Sequence, residues 1–307
     1  MIGRNWRRTL TLAVAGGAVG LGISACSSST PAAVTTTTAA PSGQYYVSLG
    51  DSYAAGFQPT GPKGAGHTTT NGFAYQLPGL ASARGYHLTL VNFGCGGATT
   101  QSILRKRGCP LLGPGAPTYP NQTQAAAAEA FLTQHPGKVG LVTVSIGGND
   151  LTDCASSADP ISCVSKALAT INADLGVLLP ALRTAAGPNV PIVGTTYPDV
   201  ILGDYLSANP ANKSLATVSV TAFMDLINPA LQKDYAAIGA SFVDVTAATG
   251  AYTPFSQTTS LPPYGTIPVA VARVCQLTFF CQYQDIHPRT LGYTEIATLI
   301  AGTLPTR

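Results

Sequence analysis

The apolar run Tyr45-Tyr46-Val47-Ser48-Leu49 stops at Gly50-Asp51-Ser52 and gives way to Tyr53-Ala54-Ala55-Gly56. A strand that ends this way puts a serine hydroxyl at a sheet edge and at a helix start, where unpaired backbone N–H groups favour negative charge. That setting suits an attacking alkoxide and the oxyanion it creates. A Gly-Asp-Ser triplet alone carries little weight, but the layout recurs. Leu88-Thr89-Leu90-Val91 runs into Asn92-Phe93-Gly94-Cys95-Gly96-Gly97-Ala98-Thr99, and the apolar stretch 139–146 runs into Gly147-Gly148-Asn149-Asp150. Strands are expected near 45–49, 88–92, 139–146, 190–196 and 241–245, with helices near 71–84, 121–134, 162–186, 212–239 and 289–303. This alternation predicts an α/β fold: a three-layer α/β/α sandwich with a central parallel sheet of about five strands. Open sheets of this kind build their sites at the carboxyl ends of strands, where these blocks fall.

Asn121 and Asn212 are expected to cap their helices, and Pro180 and Pro229 to kink or split the longer ones. The Pro- and Gly-rich stretches 56–70, 108–120 and 250–284 are expected to be loops. The last is long for a compact domain. Its apolar Leu261, Tyr264, Phe279 and Phe280 either wall a substrate pocket or fill the core beneath the loop.

A fourth block, Asp285-Ile286-His287-Pro288 with Gly292-Tyr293 beyond it, lies near the C-terminus. The ordered set of four blocks, spanning about Tyr45 to Ala301, resembles the SGNH branch of the GDSL hydrolases, esterases and lipases named for Ser, Gly, Asn and His. Taken alone, Gly147-Gly148-Asn149-Asp150 is a plain turn; within the ordered set it is more. The resemblance implies the SGNH-hydrolase, flavodoxin-like version of the fold and a carboxylic ester hydrolase with no cofactor. Ser52 is then the nucleophile, and the Ser52 N–H, the Gly97 N–H and the Asn149 side-chain amide form the oxyanion hole. Gly97 matches the family's second block better than Gly96, and a side chain there would obstruct a close-lying ligand. Asn149 has to be an amide, because a carboxylate would repel the charge it stabilises.

The chain has four histidines. His67, His87 and His135 sit in a Gly/Thr loop, before a strand and before a proline, where surface or capping roles are the ordinary outcome. In the family's last block the histidine occupies the place of His287, which makes it the general base. Here the chain departs from the commonest pattern. The position three residues before the histidine is Gln284, and the carboxylate is one residue closer, at Asp285. Two partners for His287 remain open: Asp285, or the Gln284 main-chain carbonyl in a Ser–His dyad with Asp285 bracing the loop. Asp51 and Asp150 read as loop-bracing acceptors. Lipids, short acyl esters and the O-acetyl groups of envelope carbohydrates are all open as substrates. A catalytically inactive lipid-anchored binding protein is the competing class.

Arg4, Arg7 and Arg8 precede an apolar stretch from Leu10 to Ala25, the layout of an export signal. It ends at Ile23-Ser24-Ala25-Cys26, which looks like a bacterial lipobox with Cys26 as the lipidation site. The alternative is an ordinary secretory signal with an incidental cysteine. Residues 1–25 are thus expected to be a signal peptide, 26–43 a lipidated Cys26 with a disordered Ser/Thr/Pro/Ala tether, and 44–307 the hydrolase domain. The expected location is the outer face of the cell membrane, or secretion. The net charge of +3 comes from 16 basic and 13 acidic residues. Setting aside the three signal arginines leaves 13 against 13, with no electrostatic footprint for nucleic acid. The expected partners are a small-molecule or lipid ester and, through the anchor, a membrane; a monomer is expected.

Of seven cysteines, six remain beside Cys26. An even number outside the cytoplasm points to disulfides, and six allow fifteen pairings. Sequence neighbours suggest Cys95–Cys109, Cys154–Cys163 and Cys275–Cys281, as in several secreted actinobacterial members of the family. Their spacings do not match a zinc site, and no metal is expected.

Overall fold

A computed structural model describes residues 43–62 and 64–307. The signal, the lipobox Cys26 and all of the tether except Gly43 lie outside the described residues. Five parallel strands form the main sheet in the order Leu88–Asn92, Gln44–Gly50, Val139–Ser145, Ile192–Thr195 and Ser241–Val243. Numbered along the chain this is 2-1-3-4-5, the flavodoxin-like order of the expected three-layer fold. The order reverses between the first and third strands, so the loops leaving their carboxyl ends diverge and open a crevice between them. Gly50-Asp51-Ser52 and Gly147-Gly148-Asn149 are those loops.

The central strands are buried on both faces because both are covered by helices. Along Gln44–Gly50, Val47 and Leu49 face one core and Tyr46 the other. The first core is completed by residues of the helices Gln124–Gln134, Pro160–Ala186 and Asn228–Ala236. The second is completed by the helices Phe73–Ser82 and Thr290–Thr303, with Phe73, Leu77, Tyr293, Ile296 and Ile300 all close to fully buried.

Several local expectations are corrected. The helix near 121–134 is capped by Thr123, whose hydroxyl accepts from the Ala126 N–H, not by Asn121. The next long helical run is capped by Asn209, which accepts from the Ala211 N–H, not by Asn212. In both cases the side chain immediately before the first helical residue reaches the free N–H groups. Pro180 sits inside the unbroken helix Pro160–Ala186. Before Pro229 the run instead changes to a π-turn, Ala222–Ile227, which lengthens the hydrogen-bonded loop and makes room for the proline ring.

The loops hold more order than their composition suggested. Phe57–Pro59 pairs with Gly66–Thr68 in a small hairpin. Residues 250–284 contain the hairpin Thr258–Leu261/Gly265–Pro268 and the helix Val269–Leu277. Leu261 and Tyr264 pack on Ile267, Val271 and Cys275, and Phe280 packs on Leu202 and Val274. Phe279 stacks on Tyr283 beneath the Arg289 guanidinium. The segment therefore fills its own small core and does not wall the cavity described below.

Disulfides join Cys95 to Cys109, Cys154 to Cys163 and Cys275 to Cys281. In the chain-entropy account each such short ring stabilises the fold by about 2–3 kcal/mol.

Candidate active site

Asp51 builds the corner that presents Ser52. Its carboxylate accepts from the Tyr53 N–H at 2.9 Å and so caps the single helical turn Ser52–Ala55. The other oxygen accepts from the Tyr197 hydroxyl at 2.6 Å. Burial, only partly offset by those donors, pushes the Asp51 carboxyl up to about 6. At Gly50, φ is +142° and a Cβ would lie 2.1 Å from the Ser145 carbonyl oxygen, so only glycine lets the strand turn there. The Gln124 side-chain amide clamps Gly50 from the opposite side, accepting from its N–H and donating to its carbonyl.

Ser52 Oγ lies 2.8 Å from His287 Nε2, across 235 positions of sequence. His287 Nδ1 lies 2.7 Å from Asp285 Oδ1, which also accepts from the His287 N–H at 2.9 Å. Burial pushes the Asp285 carboxyl up, but its hydrogen bonds and the charge of His287 outweigh this and hold it below the usual carboxylate range. An ionised carboxylate only accepts, so Nδ1 carries the imidazole proton and Nε2 accepts from the Ser52 hydroxyl. This Ser–His–Asp row has the geometry that activates a serine for acyl transfer.

The one-residue displacement of the carboxylate is absorbed by the backbone. Gln284 has φ +53°, the only positive value among the described non-glycine residues. A left-handed residue reverses the side to which its successor points, and Asp285 thereby reaches Nδ1. The Gln284 carbonyl makes no contact with the ring among the described hydrogen bonds.

The Ser52 and Gly97 N–H groups donate to no other described residue. Gly97 has φ +76°, yet a Cβ there would meet nothing within 4 Å. The glycine is thus required by its left-handed backbone, a reason additional to ligand clearance. Gly96 is glycine for a different reason: a Cβ would strike the Leu111 side chain at 2.4 Å. Asn149 Nδ2 donates to the Ala98 carbonyl at 2.8 Å. That bond ties the third block to the second and leaves the second amide hydrogen free. Asp150 accepts from both the N–H and the hydroxyl of Thr100, a bracing arrangement like that of Asp51.

The other histidines lie elsewhere. His67 and His87 are exposed, and His135 stacks on Phe131 with its Nδ1 against the Phe131 carbonyl. Among the described residues no three His, Cys, Asp or Glu side chains converge as metal ligands.

From Ser52 and Asn149 an apolar cavity, open at its mouth, runs along the segments 151–164 and 198–227. Leu151, Ile161, Val164, Val200, Leu215 and Phe223 are among its walls, so apart from the Ser52 end the surface is overwhelmingly apolar. Sequence reasoning missed these walls, and also Tyr53, Tyr197, Gln58 and Gln124. No short motif marks them, because their partners are brought together only by the sheet.

The profile of the GDSL-like Lipase/Acylhydrolase family matches residues 48–294. Among solved structures, an extracellular lipase from Streptomyces rimosus is 21% identical, with a TM-score of 0.51 over 85% of this chain and 100% of that one. The lipase Lip_vut3 from a goat rumen metagenome is 13% identical, with a TM-score of 0.51 over 84% of this chain and 96% of that one. At these identities the likeness is one of fold. No curated protein matches the sequence.

Proposed function

The chain belongs to the GDSL-like lipase/acylhydrolase family, and from that premise we propose that it is a serine hydrolase of neutral carboxylic esters with an apolar acyl group. The observation that carries this reading is the position of Ser52 Oγ, 2.8 Å from His287 Nε2 and at the end of an apolar cavity. Ser52 Oγ attacks the acyl carbon while its proton passes to Nε2. The carbonyl oxygen takes the charge between the Ser52 and Gly97 N–H groups and the Asn149 amide. Collapse breaks the ester bond, and Nε2 returns the proton to the leaving alkoxide. Water then repeats the sequence on the Ser52 acyl-enzyme and releases the acid.

The cavity favours an acyl chain of several carbons over acetyl. An acetyl group would not reach the apolar walls along 151–164 and 198–227, whereas each methylene moved from water onto such a wall contributes about 0.8 kcal/mol. An envelope carbohydrate O-acetyl esterase is therefore the less favoured substrate reading. The contact of Asp285 with His287 supports the hydrolase over an inactive binding protein. The arrangement of export signal, Cys26 lipid anchor and tether before residue 44 belongs to the same proposal. Three disulfides suit a domain that works outside a reducing compartment.

The test is a p-nitrophenyl ester series from acetate to long chains, run on the parent and on Ser52→Ala. The parent should prefer chains longer than acetate and label with a fluorophosphonate, and Ser52→Ala should do neither. Equal turnover by the two proteins would overturn the reading.

A further inference from the structure

His287 stands on an irregular segment, with no helix or strand to hold it from Gln284 to Arg289. It is held at its ends by the Gln284 and Arg289 N–H groups, which donate to the Phe280 and Leu277 carbonyls, and around His287 by three hydrogen bonds to its backbone carbonyls. The His287 carbonyl accepts from the Phe279 N–H at 3.0 Å, within the same C-terminal region. The other two come from the far end of the sequence. The Ile286 carbonyl accepts from the Tyr53 hydroxyl at 2.6 Å, and the Pro288 carbonyl accepts from Gln58 Nε2 at 3.3 Å. Both donors lie within six positions of Ser52.

Tyr53 is the more consequential. It follows Ser52 in the same helical turn, and its own N–H is fixed by Asp51. Its ring is 3% exposed and sits edge-on to both Tyr197 and Tyr293. Two aromatic neighbours and a capped backbone leave the hydroxyl one direction to point. That direction is the peptide carbonyl immediately before His287. An apolar residue at this place, such as the leucine that ends the family's one-letter name, could not make the bond.

We propose that Tyr53 is a positioning residue for the reaction: its hydroxyl ties the turn carrying Ser52 to the peptide preceding His287 and so sets the distance between Oγ and Nε2. The tether acts on the backbone through one bond and touches no reacting atom. Burial, reinforced by the neighbouring Asp51 and Asp285 carboxylates, holds the Tyr53 hydroxyl well above its ordinary titration, so it stays a donor. The inference rests on Ser52 and His287 acting as proposed above.

The test is Tyr53→Phe, which keeps the ring and removes only the bond. With a short p-nitrophenyl ester, kcat should fall about tenfold while KM stays within about twofold, because transition-state alignment is lost and ground-state binding is not. Added to His287→Ala, the same change should cost nothing further, since no imidazole remains to be positioned. A parent-like kcat in Tyr53→Phe would overturn the proposal, as would an equal fractional loss in the His287→Ala background, which would mark general loosening. The Nδ1 proton resonance of His287, read by NMR, should be sharp in the parent and broadened in Tyr53→Phe, and an unchanged resonance counts against the tether whatever the substrate. Should Ser52→Ala retain full turnover, the hydrolase reading fails; should Ser52→Ala be inactive while Tyr53→Phe keeps parental kcat, only the tether fails.

Discussion

At the Ser52 end of the cavity, side chains from five separated segments hold one another by directed bonds. Asp51 takes Tyr53 and Tyr197, Gln124 clamps Gly50, Asp285 takes His287, and Asn149 reaches the Ala98 carbonyl. Along the opposite wall, a 3₁₀ turn at Val200–Leu206 and a π-turn at Ala222–Ile227 present Val200, Ile201, Ala222 and Phe223 to the cavity. There the fit is one of volume, without direction. Hydrogen bonds fix position to a few tenths of an ångström and fail when one partner is lost, whereas apolar walls exchange volume for volume at modest cost. On the function proposed above, the difference would put chemistry at one end of the cavity and choice of substrate at the other.

The contrast breaks most visibly at Ser52 and His287, where alanine should lower kcat by about 10⁶, as loss of a nucleophile or base typically does. Asp285→Ala should cost about 10³–10⁴, measured in the same single-turnover assay; a loss below tenfold would return the orienting role to a main-chain carbonyl. Asn149→Ala should lower kcat about 10²–10³ with little change in KM. At the apolar end the expected outcome is of another kind. Ala222→Phe should leave turnover of acetate esters near parental while the kcat/KM ratio of long to short esters falls about tenfold or more. Equal losses on both substrates would show that the far wall also bears on the chemistry.

The smallest effect concerns Asp199, buried behind the same wall. One of its oxygens accepts from the Ser219 hydroxyl at 2.8 Å and the other has no partner among the described residues. Burial, opposed by Ser219 and the N–H groups of Ile201 and Leu202, pushes its carboxyl up to about 7. A carboxyl raised this way binds its proton more tightly folded than unfolded. Stability therefore rises as pH falls from about 7 toward the ordinary carboxylate value near 4, and above 7 the buried charge is a standing penalty. Asp199→Asn should raise Tm by a few degrees at pH 8 and reduce the slope between pH 5 and 7 in thermal melts, leaving the part that Asp51 contributes. Asp285 works in the opposite sense. Its contribution is present above the ordinary carboxylate range and is lost as pH falls through its lowered value.

Four of the five strands were legible as short apolar runs ending at or just before Gly, Asn or Asp, and the fifth, Ile192–Thr195, as an apolar run closed by Pro198. Ser52, Gly97, Asn149 and His287 were picked out as an ordered set, and the fold brings Ser52 against His287 and Asn149 against Ala98. Helix starts were less so: Thr123 and Asn209 compete with nearby Asn residues, and which one caps depends on where the chain enters the turn. The stretch 250–284 looked unstructured because Gly and Pro interrupt its first half, yet a disulfide and an apolar helix give it a core of its own. The cavity walls were invisible, since Val164, Val200 and Phe223 carry no pattern that separates a lining residue from a core residue. Asp285 stayed open for a single reason: sidedness depends on the left-handed backbone of Gln284, which a side-chain pattern does not encode.

The three disulfides span 14, 9 and 6 positions, and none links distant parts of the chain. Rings that small close among neighbours, so each can form as soon as its own stretch has met an oxidant, without waiting for the sheet. A polypeptide threaded outward from its amino end would thus lock the three loops one after another, in the order 95–109, 154–163, 275–281. On that route the imidazole at 287 would arrive only after the last of them, and Ser52 and His287 would meet at the final step.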